Sequence, residues 1–278
     1  MKKFIYFILI IGGVIMFSAC SPVNNGVNIP GESVYATKTE QEYIYEIMLK
    51  SDKFINILEY DGVRVVKDSI TPVYIADILE YAKTGDFVIQ PMVVDSLGRS
   101  IDAPEDSPSN YYIVKTITNN GSYAGDVYFY VVDGIATWSN FSGSKDYYNS
   151  EHFKKNNPNY EHTGNYEYIS RNYKDHASRI QKLLGKDSII SPSNVRYVSV
   201  NQLGGAFYIN DGNTEALIML SHAIGIPGDN LKEIIYIGDE LKKIADDRLA
   251  AYNKQVEAME EWMAKNPGQT YDIVGGAY

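Results

Sequence analysis

The chain has 278 residues, 45% of them hydrophobic and 13% aromatic, so it can bury a full core and is not a disordered tail. Its net charge of −10 argues against nucleic acid, whose phosphates demand clustered Lys and Arg, and against electrostatic adhesion to anionic lipid. There is one cysteine.

The first segment is a positive start, Lys2-Lys3, followed by an apolar run from Phe4 to Phe17 and the small residues Ser18 and Ala19. That layout is a secretory signal, and its apolar run is shorter than the ~20 residues a bilayer-spanning helix needs. Cys20 follows the small residues directly, and Phe17-Ser18-Ala19-Cys20 resembles the lipobox of bacterial lipoproteins, with Phe17 where Leu is most often found. The resemblance covers residues 1–20 only. It implies that residues 1–19 are removed, that Cys20 is lipidated, and that the chain sits in the cell envelope facing outside the cytoplasm. Loss of Lys2 and Lys3 would take the net charge from −10 to −12. With Cys20 acylated the body has no thiol, which excludes disulfides, a catalytic cysteine and zinc–thiolate sites.

Residues 20–37 carry turn formers and few bulky side chains and read as a flexible tether. Thr39 and Glu42 form a capping box, and Tyr43, Ile44, Ile47, Met48, Ile55 and Leu58 predict one helical apolar stripe ending at Asp61-Gly62. A short strand over Val63–Val66 follows. Thr71-Pro72 predicts the start of a second helix, with Ile75, Ile78, Leu79 and Ala82 buried and Gly85 as the stop. From Phe87 the period changes to two, giving strands at 87–94, 111–118, 126–132 and 135–141 with hairpin turns at Asn119-Asn120-Gly121 and Asp133-Gly134. The third of these is apolar on both faces and is predicted to be central.

Residues 143–165 show no regular period and read as a polar Tyr/Asn-rich connection. A helix over about 166–184, strands at 195–200, 206–210, 214–220 and 233–237, and a last helix from Asp239 to about Lys265 complete the chain. The class is α+β, with antiparallel meanders and packed helices. Two abutting units, 38–142 and 166–278, are the preferred division, with a single larger domain as the alternative. The last helix carries an apolar stripe longer than a small sheet covers, so that part of it is a candidate for pairing with another subunit.

Candidate chemistry is sparse. His152 and His162 lie in the connection and His176 on the next helix, a possible metal set without the shared-face spacing of His-Glu-x-x-His. Gly204-Gly205 and Gly185-Lys186 lack phosphate-loop spacing, and no cofactor is predicted. Two carboxylates would suffice for a glycosidase, but the 35 acidic residues offer no distinctive pair. The most unusual feature is aromatic. Tyr147, Tyr148, Tyr160 and Tyr166 cluster with Trp138 just before them, among several asparagines. Flat apolar faces with polar tips suit stacking on sugars or gripping a protein. These rings are the candidate recognition surface, and their alternative role is to pack the connection onto the sheet. The reading is a lipid-anchored protein with a non-catalytic binding or envelope-interaction role. A glycan hydrolase and a metal-binding lipoprotein are the alternatives.

Overall fold

The structure, a computed structural model, describes residues 38–102, 107–159, 171, 173–185, 195–220 and 233–267. The signal, the tether, Cys20, Tyr160, Tyr166, His162 and the terminal residues 268–278 lie outside the described residues. No helix among the described residues is long and apolar enough to cross a membrane.

Two helices, α1 (Lys38–Lys50) and α2 (Asp52–Asp61), open the body. They were expected as one stripe, and Ser51 divides them. Its hydroxyl donates to the Ile47 carbonyl at 2.9 Å and accepts the Ala136 N–H at 3.0 Å, so a tertiary contact fixes the break. Tyr43, assigned to the buried stripe, is instead 63% exposed, while Ile44, Ile47 and Met48 are buried. After β1 (Val63–Val65) comes a 3₁₀ turn (Lys67–Ser69) and then β2 (Thr71–Pro72). Thr71-Pro72 therefore pairs with Ile113 and Tyr112 rather than starting a helix. Ile75 lies in β3 (Tyr74–Asp77), and α3 (Ile78–Thr84) begins seven residues after the threonine. Asp77 is the cap, accepting the Leu79 N–H at 2.8 Å. The expected strand 87–94 shrinks to β4 (Gln90–Pro91).

The next three strands match expectation closely. They are β5 (Tyr111–Thr118), β6 (Tyr123–Val132) and β7 (Ile135–Gly143). The connection that showed no period folds its first part into α4 (Lys145–Asn149) and α5 (Glu151–Asn156). Ser144 and Ser150 cap them, accepting the N–H of Tyr147 and of Phe153. Helix α6 (Tyr173–Leu183) leads to β8 (Val195–Asn201), β9 (Gly204–Asn210), β10 (Glu215–Met219) and β11 (Ile234–Tyr236), and α7 (Asp239–Lys265) follows.

The first sheet runs β1-β5-β6-β7, with β2 also on β5, so β6 is interior as predicted. The second runs β11-β10-β9-β8-β3-β4. Its β3–β8 contact is parallel, pairing Tyr74 with Val198, and is the exception to an otherwise antiparallel α+β fold. Because β3 and β4 join the later strands, the division at 142–165 does not follow the sheets. The early segment contributes to both.

Alternation along the strands makes four layers. Val114, Val127 and Phe129 point outward from the first sheet and pack on Ile44, Met48 and Phe54 of α1 and α2. Tyr111, Ile113 and Tyr130 point the other way, onto Tyr197, Phe207 and Ile209 of the second sheet, with Ile180 of α6 in the same core. Val198, Ala206 and Leu217 then face Leu79 of α3 and Leu241 and Ala245 of α7.

Candidate functional site

The described part of the aromatic connection, to residue 159, packs against the first sheet. Tyr147 is only 3% exposed and belongs to the core under α1 and α2, which removes it from any recognition surface. Its ring meets Phe141 at 5.0 Å, Tyr148 at 5.3 Å and Phe153 at 5.1 Å, all edge-to-face. Tyr148 and Trp138 are half-buried against the same core. The two tyrosines pack over Gly143, which pairs with Gly125 across β6 and β7. A Cβ on Gly143 would stand 2.9 Å from Tyr148 and 3.0 Å from Tyr147. At Gly125 it would meet the Ser142 carbonyl oxygen at 2.2 Å, and φ there is +145°. Packing thus accounts for most of the aromatic bias in residues 138–153. What remains accessible is part of Tyr148 and Trp138 together with exposed residues that include Asn149, Glu151, His152, Lys154, Lys155 and Asn156.

The histidines separate. His152 lies over Gly62, with its Nε2 3.1 Å from the Asn156 amide nitrogen. His176 is buried, its ring 6.0 Å from Phe207 in the core between the sheets. Among the described residues no group of three His, Cys, Asp or Glu side chains is placed to hold a metal.

A second locus was missed by sequence reasoning. Asp126 is 1% exposed on the inner face of β6, directly opposite Lys115 of β5. Arg171 reaches it from the start of the chain leading into α6. The Arg171 backbone N–H donates to Asp126 Oδ2 at 3.2 Å, and one guanidinium nitrogen lies 3.6 Å from the same oxygen. The guanidinium sits over the Tyr128 ring at 5.4 Å. Burial pushes the Asp126 carboxyl above its ordinary range, against the opposing pull of Arg171. Burial also pushes the Tyr128 hydroxyl well up. Burial works against the Arg171 charge as well, but Tyr197, Tyr128 and Asp126 around it hold the proton.

A small hollow opens here, lined by Ser69, Thr71, Ile113, Lys115, Asp126 and Arg171. Its room is about 10 Å³, enough for at most a single water and far below the roughly 300 Å³ of the smallest usual small-molecule pockets. Both hydroxyls already serve the fold. Ser69 Oγ donates to the Val66 carbonyl at 2.7 Å and accepts the Lys115 N–H at 2.9 Å, and Thr71 donates to the Ser69 carbonyl at 2.9 Å. One carboxylate lines the hollow, and it is committed to Arg171, whereas glycoside hydrolysis needs two. The chemistry of this locus is that of a salt-linked contact between layers. The sequence did carry a signal for it, since Asp126 is the lone charge within Tyr123–Val132.

Comparison with known proteins adds no assignment. No protein-family model, curated protein or solved structure matches this chain.

Proposed function

We propose that the chain is a lipid-anchored protein of the bacterial envelope, facing outside the cytoplasm and acting through binding rather than catalysis. The observation that carries this reading is the run Phe17-Ser18-Ala19-Cys20 at the end of a charged and then apolar N-terminus. Acyl chains on Cys20 supply the membrane contact, since an acidic body gains nothing from anionic headgroups. Residues 20–37 hold the body at most roughly 55–60 Å from the bilayer. The accessible polar and aromatic side of α4 and α5, with Tyr148 and Trp138, supports a protein or glycan partner.

Metabolic labelling with an alkyne fatty acid tests the anchor in a host that processes lipoproteins. The native chain should take up label, partition into the detergent phase and run smaller than its precursor. Cys20→Ser should lose the label and remain unprocessed. Equal labelling of the two chains, or none of either, overturns the proposal.

A further inference from the structure

The turn Asn119-Asn120-Gly121, which the fold uses only to join β5 to β6, carries chemistry that neither locus above draws on. Among the described residues Asn120 is the one asparagine followed by glycine, and both residues are exposed. Gly121 has φ +86°, and a Cβ there would touch nothing within 4 Å, so its backbone nitrogen is open to approach.

The Asn120 side chain folds back over that nitrogen. Its Oδ1 accepts the Ser122 N–H at 3.1 Å and the Thr118 hydroxyl. An asparagine that bonds the N–H two residues on brings its side-chain carbonyl carbon to the intervening peptide nitrogen, here that of Gly121. The two donors also draw electron density from that carbonyl. They stand in place for the negative charge that grows on Oδ1 when a nucleophile adds, as in an oxyanion hole. One contact opposes the reaction. The Gly121 N–H donates to the Thr118 carbonyl at 2.9 Å, and this bond opens before the nitrogen can lose its proton. At an exposed turn tip such opening is among the least costly in a fold.

We propose that Asn120 is a site of spontaneous deamidation in the folded chain. The Gly121 nitrogen gives its proton to base and attacks the Asn120 side-chain carbonyl carbon. A C–N bond forms, and the side-chain amide leaves as ammonia with a proton taken from water. The product is a five-membered succinimide, and a second water then cleaves one of its two C–N bonds. Cleavage at the side-chain carbonyl leaves aspartate on the native backbone. Cleavage at the main-chain carbonyl leaves isoaspartate, with the backbone routed through the side chain. Either product adds one negative charge, taking the net charge from −10 to −11. Aspartate keeps an acceptor for Thr118 and Ser122. Isoaspartate inserts one more atom into the backbone of the turn, close to the register shift between Thr116 and Ile117, and so loosens the pairing of β5 with β6.

Ageing the purified full chain in mildly alkaline buffer, followed by peptide mass spectrometry, tests this. The tryptic peptide 116–145 should gain a form converted at Asn120 and not at Asn119 or Asn140. Asn25-Gly26, the other Asn-Gly pair of the sequence, is the benchmark in the same digest. Conversion at Asn25 with none at Asn120 overturns the proposal, as does an unchanged digest throughout. So does conversion at Asn120 that requires unfolding in urea, or that is no faster than at Asn119 and Asn140. Asn120→Gln lengthens the side chain, so that it closes a six-membered ring less readily. That variant should leave peptide 116–145 unchanged while Asn25 converts as before, and the same new form in it would also overturn the assignment.

Discussion

The two faces of β6 form cores of opposite character from alternate residues of one strand. Outward, Val127 and Phe129 meet the helices α1 and α2 in a largely apolar contact, with Phe129 wedged between Phe54 at 5.4 Å and Tyr112 at 5.6 Å. Inward, Asp126, Tyr128 and Tyr130 face the second sheet, and the contact begins with a buried ion pair before it becomes apolar. The outer face derives its stability from shape. The inner face adds a requirement that particular charges meet, which fixes how the chain before α6 docks. Such pairs are weak sources of stability when intact and costly when broken.

Substitutions at three positions probe that contrast. The largest loss is expected from Phe129→Ala, about 4 kcal/mol, because a fully buried ring leaves a cavity that flanking aromatics cannot fill. Urea unfolding would show it as a lower midpoint at an unchanged slope. A loss below about 1 kcal/mol would mean that the outer core repacks freely and that shape is not what holds it.

Asp126→Ala comes next, at about 3 kcal/mol, since it strands the Arg171 charge between the layers. Asp126 also has a pH signature. Folding raises its proton affinity above the ordinary 3.8, through burial against the pull of Arg171. The folded chain therefore keeps a proton that the unfolded chain releases, and stability due to this group falls as pH rises from about 4 through the folded-state value. Above that value its contribution is flat. Asp126→Asn should remove this component, so the native chain loses more stability than the variant as pH rises above about 4. Parallel pH profiles would show that the carboxyl titrates normally and that the inner face is polar without being dry.

How much of this contrast the sequence revealed depends on how local its cause is. β5, β6 and β7 were legible because alternation and hairpin turns are written in neighbouring residues, and α7 because its stripe and end signals are continuous. The start of α3 was not. Thr71-Pro72 is a sound helix start by local chemistry, but pairing with Ile113 and Tyr112 overrides it. The break at Ser51 depends on the N–H of Ala136, far along the chain. At the aromatic locus the composition was visible and its destination was not, since Tyr147 and Tyr148 pack over Gly143, where a Cβ would stand 3.0 Å and 2.9 Å from their rings. The Asp126–Arg171 pair joins residues 45 apart in sequence, and no spacing rule connects them.

Trp138 gives the smallest effect and the sharpest test of the largely apolar outer face. Its indole N–H is buried without a hydrogen-bond partner among the described residues, beside the apolar side chains of the outer core. A buried donor left unpaired costs about 1–3 kcal/mol, so Trp138→Phe removes that penalty together with part of the ring. The lost ring area acts in the opposite direction, at about 25 cal/mol per Å² of apolar surface no longer buried. With the indole only half-buried, the two contributions nearly cancel, and the change should stay within about 1 kcal/mol of zero, of either sign. A loss above about 2 kcal/mol, measured by urea unfolding, would mean that the N–H has an acceptor, a second polar contact on the outer face beside that of Ser51 with Ala136.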